Sequence, residues 1–475
     1  MLPAVLMNTH GFYDWITGRL AAAGGTIRFK GPIFYRANVV MTCDPRNMEH
    51  ILRTNFENFP KGEDFQDIFH DLFGDGLANA DAESWSFQRK LAHNKIHSKD
   101  FRQFSLKNTR DIVKTQLVPL LRQWARQSSV LDMQDVFSRF TYDNACVAAF
   151  GDNPRCLSPS FPRLPASEAI AIIMDAIFYR HIVPSFVWHL FRRLQVGKET
   201  RVNHAKEVMK ELLTQKVGEK KKSPGSDDLL SKYVAVSSDD IFLEDSTANF
   251  LLAARDTSAS ALTWFFWLLS RHPHAEAKIL EELHSIITKT KEAAANATPL
   301  SSLPDFDFGA EELQKMVYLH AALCETLRLY PSVPINNRSV LAEDKLPDGT
   351  VLKPGTKVFF VPYAAGRMKW AWGEDCLEFK PERWIDGEGR LKHETDGSRF
   401  AAFNGGPRTC VGKDMAFLQM KYAAAEVLLN FEVTVVEGHR VTPKASVVMS
   451  MKQGLPVMVK ERLSVNNDDM ATRLP

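Results

Sequence analysis

Between about Trp85 and Leu329 apolar residues recur at three- and four-residue intervals. That spacing lines one side of a helix. It predicts helices over residues 106–126, 167–194, 201–217, 239–270 and 275–289. Before and after this region the pattern shortens and alternates. Residues 25–34 and 38–43 read as strands, and Asp44-Pro45 opens a helix over 46–54, with Pro45 at its first position. After Pro331 come a turn at Asp348-Gly349, a strand over 357–363, a helix over 413–429, and closing strands at 431–436 and 457–460. Polar stretches at 220–226 and 293–308 read as surface loops. The outcome is a mainly α fold with a minor β portion at both ends of the sequence. No linker divides it, so residues 1–475 form one large domain.

The longest apolar run, residues 250–269, has the length to span a bilayer, but it carries Arg255 and Asp256. Each costs about 2.5–3.5 kcal/mol near a bilayer centre. The run reads as the buried central helix of a globular protein. Charge excludes another class. The 59 Lys+Arg against 57 Asp+Glu leave no basic excess for binding nucleic acid. The six cysteines (Cys43, Cys146, Cys156, Cys324, Cys376, Cys410) are scattered, with no CxxC spacing. Neither a zinc site nor a disulfide framework follows from them.

One segment carries chemistry of its own: Phe403-Asn404-Gly405-Gly406-Pro407-Arg408-Thr409-Cys410-Val411-Gly412. Its glycines and proline make an irregular turn. Cys410 then stands at the start of a helix, whose free N–H groups and positive end favour a thiolate. Gly412 lets a bulky group approach the backbone. A thiolate held this way is a nucleophile or a metal ligand. For a lone cysteine, a buried structural role is the commoner outcome.

This decapeptide resembles the haem-ligand signature of the cytochrome P450 family at every fixed position. Other family signatures follow in order: Trp85-x-x-x-Arg89, Ala253-Ala254-Arg255-Asp256-Thr257-Ser258, Glu325-x-x-Arg328 and Pro381-Glu382-Arg383-Trp384. Ala254 and Trp384 depart mildly from the family's usual Gly and Phe. The resemblance implies a cytochrome P450 fold around a buried haem b, with Cys410 as axial ligand of the iron. Trp85, Arg89, Arg338, Phe403, Arg408 and Gly412 would hold the cofactor. Asp256 and Thr257 would pass protons to iron-bound oxygen. Glu325, Arg328 and Arg383 would lock the segment that carries the Cys loop.

The resemblance further implies a monooxygenase, most similar to the plant branch that oxidises fatty acids and alkanes and, within it, to the mid-chain alkane hydroxylase and noroxomaritidine synthase group. The substrate pocket maps to Phe65, Phe69, Phe73, Phe250, Ala253, Val333, Ile335 and Val447. Long aliphatic hydroxylation is the first expectation, and oxidative phenol coupling of a norbelladine-type alkaloid is the alternative. Asn336 and Asn337, if they reach the pocket, favour the alternative. A reductase-independent haem-thiolate isomerase is a second alternative, which the Asp256–Thr257 pair opposes. Electrons would come from NADPH through NADPH–cytochrome P450 reductase, with Arg408, Lys413 and Lys90 as candidates for meeting it. The expected molecule is a monomer on the cytosolic face of the endoplasmic reticulum membrane, whose N-terminal anchor precedes a segment resembling Met1-Leu2-Pro3 and is missing from this chain. The apolar residues 182–190 would touch the bilayer or pack in the core.

Overall fold

The structure is a computed structural model and describes residues 8, 11–30, 38–223, 225–295, 306–392 and 398–462. Its axis is the helix Asp240–Arg271, buried along most of its length. Asp239 starts it by accepting the N–H groups of Ile241 and Phe242. The helix packs against Met133–Phe150, itself almost wholly buried. Its N-terminal half (Leu243, Ala248, Leu251, Leu252) belongs to one apolar cluster. Its C-terminal half (Ala259 to Leu269) belongs to another. The polar step Arg255–Ser258 lies between the two clusters. Among the described residues no helix is long and apolar enough to cross a membrane.

The larger sheet has four strands, in the order Thr26–Lys30, Asn38–Thr42, Lys357–Phe360, Asn336–Ser339. Only the middle pair is parallel. Alternation along the third strand buries Val358 and Phe360 and turns Lys357 and Phe359 to the opposite face. That face walls a cavity. A three-stranded sheet joins Leu131–Asp132, Pro456–Glu461 and Phe431–Val435.

Several expectations are corrected. Residues 167–194 are two helices, Pro165–Ile182 and Ser185–Leu194. Pro184 between them has no N–H with which to continue the first. Residues 106–126 are helical, but with a π turn at Val113–Leu117 just before Pro119, which cannot donate back. The lysines at 220–222 belong to the helix Lys198–Lys222 rather than to a loop. Lys220 reaches Asp228 at 2.7 Å and Lys221 reaches Asp240 at 2.5 Å. Two helices had no clear signal in the sequence, Phe12–Ala22 and Glu63–Phe73. The helix Pro273–Ala295 covers the first part of the loop expected at 293–308. Residues 296–305 of that loop, residues 31–34 of the first expected strand and residues 1–7 lie outside the described residues.

Candidate active site

The Cys loop is a short 3-10 turn, Gly406–Arg408, ahead of the helix Lys413–Asn430. The Cys410 N–H donates to the Phe403 carbonyl at 2.8 Å, and the Thr409 hydroxyl donates to the Gly406 carbonyl at 2.7 Å. Gly406 has φ +60°, and a Cβ there would lie 1.9 Å from the Leu52 carbonyl oxygen. The close backbone approach is therefore at Gly406. A Cβ on Gly412 would stand in open space. Cys410 alone of the six cysteines keeps accessible surface. Yet burial raises its thiol pKa, against the pull of the Gly412 N–H, Arg89 and Lys413. Both facts hold for a side chain lining an internal hollow. The expected lowering of the thiol pKa by the helix start is thus outweighed by desolvation.

Beside the loop stands a group of buried cations. Arg338 has no exposure, and its Nε and Nη2 have no partner. Burial and then the charge of Arg408 bring its pKa down to about 9. Arg408 donates to Asp81 at 2.5 Å and to the Ala80 carbonyl at 3.0 Å, and its guanidinium lies 4.6 Å from the Trp85 ring centre. Its Nε is unpartnered. Trp85 and Arg89 share the helix Ala82–Ile96. Arg89 is held down by burial, an effect the neighbouring Cys410 opposes. Buried guanidinium donors without acceptors are costly. They require an anion, and carboxylates suit their fork. An open hollow at Cys410 and Gly412, rimmed by such donors, fits a haem with its propionates. Arg408 is nearly buried (6% exposed side chain) and so is not available to meet a protein partner. Lys90 is exposed.

Glu325, Arg328 and Arg383 meet in the structure. Glu325 and Arg328 are fully buried and paired through two bonds of 2.8 Å. Arg383 reaches Glu325 with Nε at 3.2 Å and Asp375 with Nη1 at 3.0 Å. Arg328 also donates to the carbonyls of Cys376 and Glu378 at 2.6 and 2.9 Å. The sequence could not show that Trp384 joins them, its Nε1 donating to Glu325 Oε2 at 2.9 Å. Trp384→Phe keeps the ring and removes this donor. It is expected to cost about 1.5–3 kcal/mol, the range for hydrogen bonds to charged groups, read as a lower denaturant midpoint.

At the polar step of the central helix, the Thr257 hydroxyl donates to the Ala253 carbonyl at 2.7 Å. Asp256 Oδ1 lies 3.2 Å from Arg255. Ala253, Asp256 and Thr257 border a cavity of about 460 Å³. Phe65, Phe69, Phe73, Val333, Ile335 and Val447 line it as well. Phe250 does not. It packs into the neighbouring apolar cluster, because the cavity's edge on this helix begins at Leu252. Asn336 and Asn337 both reach the cavity.

Three cavity residues carried no signal in the sequence. Arg180 is wholly buried and binds Glu199 at 3.0 and 2.7 Å and Asp71 at 2.7 Å. It thereby ties the helices Pro165–Ile182 and Lys198–Lys222 to Glu63–Phe73. His181 donates from Nδ1 to the Ile177 carbonyl at 2.9 Å, and burial pushes its pKa down to about 4. Lys61 is 7% exposed, above the Phe65 ring at 3.9 Å.

Comparison with known proteins agrees with this geometry. The Cytochrome P450 family model matches residues 31–460. The chain is 42% identical over 476 residues to "Cytochrome P450 86B1" of Arabidopsis thaliana, covering 97% of this chain and 84% of that one. It is 40% identical to "Noroxomaritidine synthase" of Narcissus aff. pseudonarcissus MK-2014 (97% and 90% covered). It is 38% identical to "Alkane hydroxylase MAH1" of Arabidopsis thaliana (98% and 92% covered). Among solved structures, the cytochrome P450DA heme domain aligns with TM-score 0.77 at 18% identity, over 96% of this chain and 94% of that one, a likeness of fold. The chain belongs to the cytochrome P450 family, as a plant-type monooxygenase that binds haem iron and takes electrons from a redox partner.

Proposed function

We propose that the chain hydroxylates long aliphatic substrates, alkanes or fatty acids, and that Cys410 would ligate the haem iron. The observation that carries this reading is the cavity, which meets Ala253, Asp256 and Thr257 at one side and is walled by stacked phenylalanines. Similarity to an alkane hydroxylase supports it. When bound, the haem supplies dioxygen activation, with electrons that originate in NADPH. One oxygen atom enters the substrate C–H bond and the other leaves as water.

The protein's own part is placement, proton supply and exclusion of water. Arg338, Arg408, Arg89 and Trp85 would hold the propionates, and Phe403 and Gly412 shape the loop around Cys410. Thr257 offers its hydroxyl to the cavity, and Asp256, oriented by Arg255, renews the proton. Thr257→Ala is expected to lower product formed per NADPH consumed by about tenfold or more, while NADPH oxidation continues and peroxide appears. Parallel assays of NADPH, peroxide and product check this.

Asn336 and Asn337 at the cavity wall, with the similarity to noroxomaritidine synthase, support phenol coupling as the second reading. The test offers long alkanes, long fatty acids and a bisphenolic benzylamine to the protein with a plant reductase and NADPH, reading products by mass. One added oxygen on an alkane or acid supports hydroxylation. Loss of two hydrogens from the bisphenol supports coupling and overturns the first reading. Turnover of a lipid hydroperoxide without NADPH would move the chain to the isomerase class. NADPH–cytochrome P450 reductase is the proposed electron donor, approaching from the side of Lys90, and the protein acts as a monomer at the endoplasmic reticulum membrane. Exposed Phe186, Leu190 and Leu194, at four-residue spacing on Ser185–Leu194, support membrane contact, while Trp188 of the same helix is buried.

A further inference from the structure

We propose that Lys61 is a head-group anchor, which makes long-chain carboxylic acids preferred substrates over plain alkanes. The inference rests on the aliphatic reading above. Five other charged groups line the cavity near the phenylalanine wall or the central helix, and each contacts an opposite charge or, for Asp67, an imidazole. Asp64 pairs with Lys357 at 2.9 Å, Asp67 with His189 at 2.9 Å, Asp256 with Arg255 at 3.2 Å, and Arg180 with Glu199 and Asp71 at 2.7 Å. The Lys61 backbone N–H donates to Asp81 at 2.9 Å, but among the described residues its ammonium forms no ion pair with a carboxylate, and Asp81 acts on it only as a neighbouring charge.

Its single polar side-chain partner is Asn336 Oδ1 at 3.3 Å. That oxygen also accepts the Asn337 N–H at 2.9 Å and Arg338 Nη1 at 3.2 Å. An ammonium has three donors, so most of its hydrogen-bonding capacity is unspent. Burial, with Arg338 and Arg408 nearby, holds the Lys61 pKa well below its ordinary value. The propionates would answer Arg338 and Arg408, which leaves the Lys61 ammonium, bonded only to Asn336, for a further carboxylate.

The wall beside Lys61 suits what a carboxylate would carry. Phe65, Phe69 and Phe73 stack one turn apart, with ring centres 4.3 and 5.6 Å apart. The ladder begins at the ring beneath Lys61 Nζ. It ends at Phe73, whose carbonyl accepts from Asn249 of the central helix at 2.8 Å, one turn before Ala253. A methylene chain laid on the ladder runs from a head at Lys61 toward the reacting end of the cavity. The asparagines thereby change meaning: Asn336 is spent on holding Lys61, and a cationic amine would meet repulsion there.

The test measures binding of palmitate, methyl palmitate and hexadecane to the purified haem-loaded protein, by substrate-induced spectral shift and by calorimetry. Wild type is expected to bind palmitate about tenfold more tightly than the ester or the alkane, a difference of about 1.4 kcal/mol. Lys61→Met should erase that preference without changing affinity for hexadecane or haem content, and Lys61→Arg should restore most of it. Unchanged palmitate binding in Lys61→Met overturns the proposal. So does loss of haem in that variant, which would assign Lys61 to the cofactor. If wild type binds none of the three chains, the aliphatic reading itself falls. If it binds all three equally, only the anchor does.

Discussion

Glu325→Ala is expected to cost about 3–5 kcal/mol, the typical penalty for stranding one member of a buried ion pair. Stabilities of ordinary domains are only about 5–15 kcal/mol. The carboxylate is fully buried and is the meeting point of Arg328, Arg383, Trp384 Nε1 and the Lys380 N–H at 3.0 Å. Alanine leaves Arg328 without solvent and without a counter-charge, since its other acceptors are backbone carbonyls. Glu325→Gln keeps the volume and two acceptor or donor positions but removes the charge, so it should fall between alanine and wild type. Denaturant unfolding of the purified variants, with haem retention followed in parallel, checks both. Because the network pins residues 366–384 to the helix Val317–Leu329, haem loss should accompany unfolding rather than precede it. A variant that unfolds like wild type would show that the charge is not structural.

The sequence made some of this site readable and hid the rest, for a physical reason. The Cys loop and the Asp256–Thr257 step are local: a turn, a helix start and an i−4 hydroxyl bond are set by neighbouring residues. The central helix was legible because two charges within an apolar run argue against a bilayer and leave a buried helix. Contacts across the chain carry no local pattern. Lys61 and Asn336 stand 275 positions apart, and no spacing rule links them. The helix Glu63–Phe73 also had no clear start signal, since Gly62 precedes it with no side-chain cap. Its phenylalanines were reached through family resemblance alone. The same route misplaced Phe250 and gave Arg408 an exposed role, because a resemblance transfers position along the chain and not the direction of a side chain. Resemblance brought Trp384 in as a harmless variant, whereas its indole adds a donor that phenylalanine lacks.

Cys410→Ala is expected to abolish oxygen insertion while leaving the polypeptide as stable as before, within about 1 kcal/mol, as for surface changes that leave no cavity. Side chain and backbone separate cleanly here. The loop is held by the Cys410 N–H on Phe403, the Thr409 hydroxyl on Gly406 and the packing of Gly406 on Leu52. None of these needs the sulfur. The thiol itself projects into a hollow, so truncation opens no void in packed core. No other cysteine can replace it. Cys43, Cys146, Cys156, Cys324 and Cys376 are all buried, and burial pushes the Cys43 and Cys156 thiols up to about 12. The measurement pairs urea unfolding of the haem-free chains with substrate turnover of the haem-supplemented ones. Intact folding with no product assigns Cys410 to the chemistry. Equal loss of stability and activity would make it a structural residue instead, and retained turnover would remove it from the ligand role. Cys410→Ser separates the cases further: an alcohol matches the thiol in size but ionises far less readily, so serine should fold normally and still fail to support turnover.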